Sequence, residues 1–157
     1  MAISNVEKSV LKEEETKPEL AYQYLKAFKS DVVRLHGENV YLYGSVELNY
    51  EFARDIKGAD IEKHQERVVK SKDPQINYLF AKNVKGCNIL PHSKVILESR
   101  DLKYNYLFLR DVVSELNTPV AQGHILLISN SKEIEYHEAL NRLIESRKSI
   151  ERNHVRK

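Results

Sequence analysis

Three histidines, His36, His64 and His92, recur at intervals of 28 residues. Histidine is a common metal ligand and a ready acid or base, so the spacing first raises a metal site. Units of a helical repeat lie about 10 Å apart, however, which is too far for one ion to reach three imidazoles. No carboxylate or cysteine recurs beside them at ligand spacing. The expectation is a partly buried imidazole bonded to a neighbouring loop, with no metal and no cofactor.

A second set of columns has the same period. Tyr22, Tyr50, Tyr78 and Tyr106 each stand four residues before a cation: Lys26, Arg54, Lys82 and Arg110. On a helix these positions are neighbours. An aromatic edge beside a basic edge can stack bases and neutralise phosphates, or it can cover an acidic protein surface. It can also be structural, each ring packing across a repeat boundary beneath the stem of its cation. The structural role is the expectation, with these eight residues as the candidate binding residues.

Asn49, Asn77 and Asn105 fall inside an apolar arc. A buried amide must find partners, so each is expected to bond a loop backbone of the adjacent unit. Removing one is expected to cost about 1–3 kcal/mol. Cys87 reads as a small buried hydrophobe. The chain has no Ser-His-Asp, Cys-His, HExxH, P-loop or dinucleotide fingerprint, so the expectation is no enzyme. Asp55 and Asp111 read as surface or cap partners.

The element behind these columns is a repeat. Val46–Asp73 and Pro74–Asp101 match at ten of 28 positions without a gap. The same register extends back to Pro18 and forward through Leu102–Val112, and a two-residue insertion then carries it to Ile134 and Tyr136. A period of this length marks a repeat architecture. Each unit reads as two short helices. Asp73-Pro74 is a helix start, with Ser45, Asp101 and Ser131 at the same cap position. Ile76, Phe80 and Val84 form an apolar stripe at i, i+4, i+8. Gly58 and Gly86 close the first helix of their units. The β-branched segments VYLYG, RVVKS, KVILES and HILLIS admit strands and a horseshoe fold. The L-x-x-L-x-L-x-x-N pattern of that fold is missing, which favours helices. The expected fold is an all-α solenoid of two-helix repeats. Residues 1–17 form an N-terminal capping helix or leader, 18–131 the array, and 132–157 a capping helix with a basic tail.

The phrase Asn77–Ile89, NYLFAKNVKGCNI, resembles tandem short-repeat proteins of bacteria and their phages. The likeness runs from Pro18 to Ile144, and Val113-Ser114 departs from its Lys-Gly turn. It implies a non-catalytic inhibitor or adaptor, docking on a host protein such as a defence nuclease, as anti-CRISPR proteins do. The alternative is a helical repeat that binds single-stranded RNA or DNA through the Tyr/basic edge. Net charge is only +2, so no strong global attraction to nucleic acid is expected. There is no apolar run long enough for a signal or a membrane span, and Cys87 is alone. The expected location is the cytoplasm, the host's if a phage encodes the chain. A protein is the expected partner, and self-association is compatible with the same array.

Overall fold

The computed structural model describes residues 17–28 and 33–155. Among them are nine helices and no strand: α1 (Pro18–Phe28), α2 (Val33–Tyr43), α3 (Val46–Asp55), α4 (Ile61–Lys70), α5 (Pro74–Asn83), α6 (Ile89–Ser99), α7 (Leu102–Asp111), α8 (Pro119–Ser129) and α9 (Ile134–Val155). The capping helix expected within residues 1–17 lies outside the described residues, apart from Lys17.

The helices α3 to α8 each start where a short polar side chain replaces the missing backbone acceptor. Ser45 accepts from Leu48 N, Asp60 from Lys63 N, Asn88 from Leu90 N and Thr118 from Ala121 N. Asp73 accepts from both Gln75 N and Ile76 N, ahead of Pro74 at the first helical position. The turns after α3 and α5 each take a left-handed residue. Gly58 and Gly86 supply it with φ of +89° and +82°.

The helices pair into hairpins, and the hairpins stack. Odd-numbered helices pack on one another in order, α1 on α3, α3 on α5, α5 on α7 and α7 on α9. Even-numbered helices form a second row, α2 to α4 to α6 to α8. Among the described residues, contacts join only neighbouring units. This nearest-neighbour packing defines a repeat array. The β-branched segments are helical because Val40, Val68, Ile96 and Ile128 each point one fully buried side chain between the rows. Tertiary burial outweighs their mild strand preference. Phe52, Phe80 and Phe108, also fully buried, fill the opposite side of the same core layer.

The fifth unit sits in a different register from the one read in the sequence. Leu102 at the start of α7 corresponds to Ile134 at the start of α9, an offset of 32 rather than 30. Tyr136 therefore takes the place of Tyr104, not of Tyr106. Ring contacts agree: Tyr78 meets Tyr104 at 6.1 Å and Tyr106 meets Tyr136 at 6.5 Å. Leu140, nearly buried, occupies the position of Phe108. The cause is two lengthened connections: Val112–Thr118 has seven residues against five in Ile56–Asp60 and in Val84–Asn88, and Asn130–Glu133 has four against two in Arg100–Asp101. Ser131 consequently does not cap α9, which starts three residues later.

α9 is also tied down by Arg147. Its guanidinium donates to the carbonyls of Leu109 (3.0 Å), Arg110 (3.1 Å), Val113 (2.5 Å) and Ser114 (2.6 Å). These are the carbonyls left open at the end of α7, where a cation is favoured.

Candidate functional site

The Tyr/basic edge is built across unit boundaries. The Tyr22 hydroxyl donates to Asp55 Oδ2 at 2.6 Å, one unit ahead. Tyr78 makes the same bond to Asp111 Oδ2 at 2.5 Å. Between them Tyr50 accepts from Asn83 Nδ2 at 2.8 Å. All three links span 33 residues, so the partners form their own column: Asp55, Asn83, Asp111.

The cations close over these links. Arg54 donates twice to Asp55, at 2.6 and 2.8 Å, and Arg110 twice to Asp111, at 2.6 and 3.0 Å. Lys82 reaches Asp111 at 2.9 Å and Lys26 reaches Asp55 at 3.6 Å. The adjoining arginines hold both aspartates well below the usual carboxylate range, although partial burial works the other way. Burial and the Asp55 carboxylate raise the Tyr22 phenol, with Lys26 opposing them. Each cation also lies over its tyrosine ring, at 5.0 to 5.9 Å from the centroid. The result is two like clusters, Tyr22-Lys26-Arg54-Asp55 and Tyr78-Lys82-Arg110-Asp111, offset by 56 residues and separated by a neutral Tyr50–Asn83 link.

Of the eight candidate residues, the structure brings the tyrosines and cations together as expected. It also buries Tyr22, Tyr50 and Tyr78 to 6–8% exposure. Their faces are covered, so the base-stacking role considered from the sequence is not open to these three rings. Tyr106 is only half-buried. Lys26, Arg54, Lys82 and Arg110 reach solvent, each paired with an aspartate. The aspartates were the missed members. Their 56-residue spacing, two repeat periods, directly after Arg54 and Arg110, was the signal.

The histidine column is likewise a lattice of internal bonds. Nδ1 of His64 meets Asn49 Oδ1 at 2.7 Å, His92 meets Asn77 at 2.7 Å and His124 meets Asn105 at 2.6 Å. The partner is the asparagine of the same hairpin, which corrects the expected loop. Each asparagine Nδ2 donates backward to the second helix of the preceding unit: Asn49 to Val40 O, Asn77 to Val68 O and Asn105 to Ile96 O, at 3.0 to 3.1 Å. It also donates to the carbonyl of its own cap residue, Ser45, Asp73 or Asp101, at 2.8 to 2.9 Å. With Nδ2 committed to carbonyls, Oδ1 must accept, so the proton sits on Nδ1 of each histidine and Nε2 is bare. Each ring packs on its phenylalanine: His92 stacks on Phe80 at 4.9 Å and His124 on Phe108 at 4.8 Å, and His64 lies tilted against Phe52 at 4.8 Å. Burial pushes all three histidines down to about 4. His124 was missed in the sequence because it stands 32 residues after His92 and not 28.

The bare Nε2 is met differently in each unit. Ser93 Oγ lies 2.9 Å from Nε2 of His124 and donates to it. Nε2 of His92 is buried without a partner. The residue in Ser93's register there is Gln65, whose Oε1 instead accepts from Asn88 N at 2.9 Å. A buried orphan acceptor is costly. Gln65→Ser is therefore expected to stabilise the fold by about 1 kcal/mol, read as a higher urea midpoint at unchanged slope. A lower midpoint would show that the serine hydroxyl does not reach the ring.

Among the described residues no group of three or more His, Cys, Asp or Glu is placed to hold a metal ion. Burial raises the Cys87 thiol above its ordinary value. No described helix is long and apolar enough to cross a membrane. No family model, curated protein or solved structure matches this chain.

Proposed function

We propose that the chain is a non-catalytic protein-binding module that docks through its row of second helices. The observation that carries this is the set of large apolar side chains that row leaves in solvent. Leu42 is 49%, Tyr43 52%, Leu90 56% and Leu126 62% exposed. Side chains of this kind suit a protein surface better than a phosphate backbone. The opposite row supports the same choice, since three of its four column rings are covered and its cations already face aspartates. The narrower form, a phage-type inhibitor or adaptor acting on a host defence nuclease in the host cytoplasm, rests on the resemblance of the repeat phrase.

The test compares the whole chain with a Leu90→Glu/Leu126→Glu double variant as bait. The unchanged chain is expected to retain a protein in stoichiometric amount. The variant should lose at least roughly tenfold in affinity while melting at the same temperature. A labelled oligonucleotide should show no binding at low salt. Tight oligonucleotide binding that weakens steeply with salt, with no retained protein, would overturn the reading in favour of nucleic acid.

A further inference from the structure

We propose that the junction between α2 and α4 is a binding site for a small neutral alcohol or polyol, whose hydroxyl donates to Nε2 of His64. This inference does not depend on the protein-docking reading. His64 is 1% exposed and its Nδ1 is committed to Asn49. That leaves Nε2 as an acceptor, and no other described residue bonds it. It looks onto a cavity of about 150 Å³ lined by Val33, Arg34, Gly37, Glu38, Asp60, Lys63 and His64.

The cavity exists because of Gly37. A Cβ built there would lie 3.6 Å from His64 Nε2 and 3.2 Å from Phe52 Cε1. The same register holds Gln65 and Ser93 in the next two units, so the fold accepts a side chain at this place. In the third unit that side chain is the Ser93 hydroxyl, which satisfies Nε2 of His124 in the fourth unit at 2.9 Å. The molecule thus contains its own example of the group the His64 nitrogen takes, and at Gly37 no side chain supplies it.

The size and charge of the space narrow the ligand. About 150 Å³ is roughly the share of five waters, enough for a glycerol-sized molecule. Its charges balance: Arg34 and Lys63 against Glu38 and Asp60. Lys63 is already bonded to Glu38, and Asp60 accepts from Lys63 N at 3.2 Å. A net ionic ligand gains little there, whereas a hydroxyl compound has a bare imidazole acceptor at the floor and the Phe52 edge beside Gly37 as an apolar wall.

The experiment titrates glycerol into the full chain labelled with ¹⁵N-histidine. His64 Nε2 is expected to move along a saturating curve, while His92 and His124 Nε2 stay in place. In Gly37→Ser the His64 resonance should start near that of His124 and no longer respond. In Gly37→Ala, which fills the space without a donor, the response should be lost without that starting shift. Three results would overturn the proposal: an unmoved His64, a linear drift shared with His92, or an undiminished response in Gly37→Ala. An unmoved His64 would assign its acceptor to solvent water alone. The titration of the unchanged chain decides the matter even where a variant fails to fold.

Discussion

Acidification is expected to unfold the array between pH 6 and pH 4, through the three buried histidines (roughly, from the values below). Unfolded imidazoles titrate at 6.5, and burial lowers His64, His92 and His124 to about 4. Above pH 6.5 both states hold neutral rings, and the full stability is present. As pH falls, the unfolded chain takes up protons that the folded chain refuses, and each proton pulls the equilibrium toward unfolding. The loss continues until pH passes the folded value near 4, where the buried rings protonate too. A shift of this size corresponds to roughly 3 kcal/mol for each ring. Together they approach 10 kcal/mol, on the scale of the whole stability of a domain, about 5–15 kcal/mol. The low folded values follow from geometry: Nδ1 already carries a proton, and a second on Nε2 would be a buried charge without a counter-ion at His92. Asp55 and Asp111 also lose their pairing in acid, but only below their ordinary range near 3.8. A circular-dichroism titration should therefore show a steep transition centred near pH 5, with a proton uptake approaching three (both roughly). Retained helicity at pH 4, with histidine resonances titrating near their ordinary value, would refute the assignment.

What the sequence revealed and what it hid divide along a physical line. Cap residues, the proline at the start of α5 and the turn glycines act within one turn of helix, so Asp73, Pro74 and Gly86 were readable from their immediate neighbours. The apolar stripe of Ile76, Phe80 and Val84 was readable for the same reason, being a property of one helix face. Asn77 was read correctly as a bridge to the adjacent unit, because an amide inside an apolar arc has few other outlets, but the carbonyl it meets, Val68 O, lies in the last turn of α4 and not in the expected loop. Its second partner was not legible. His92 stands 15 residues away on the other arm of the hairpin, and the angle between the arms decides which of its neighbours the ring meets. The Tyr–Asp links span 33 residues and one unit boundary, so they depend on how units stack and not on any one unit's pattern. The insertion before α8 hid the fourth histidine. A repeat aligned by identity slips where its connection lengthens, whereas packing restores the register at Leu140.

The same hairpin logic makes Asn77→Ala the most damaging single change among the recurrent polar positions, at about 3 kcal/mol. Asn77 is fully buried and makes three bonds: to Val68 O at 3.1 Å, to Asp73 O at 2.8 Å and to His92 Nδ1 at 2.7 Å. The Val68 bond fastens α5 to the second helix of the preceding unit. The Asp73 bond supports the cap of α5 itself, and the His92 bond fastens α6 to α5. One side chain thus joins three helices. Its loss leaves His92, already unmatched at Nε2, with neither ring nitrogen bonded to protein. Leaving a buried donor unsatisfied costs about 1–3 kcal/mol on top of the bonds themselves, which places the change at the upper end of the range expected from the sequence. A conservative Asn77→Asp variant should behave differently with pH. It keeps an acceptor for His92 but gives up the two donations, and its carboxylate offers the imidazole a counter-ion. The Asp variant should therefore lose less of its remaining stability between pH 7 and pH 5 than Asn77→Ala does. Urea denaturation of both variants at the two pH values measures this, and equal acid sensitivity would show that His92 does not titrate through the residue at 77.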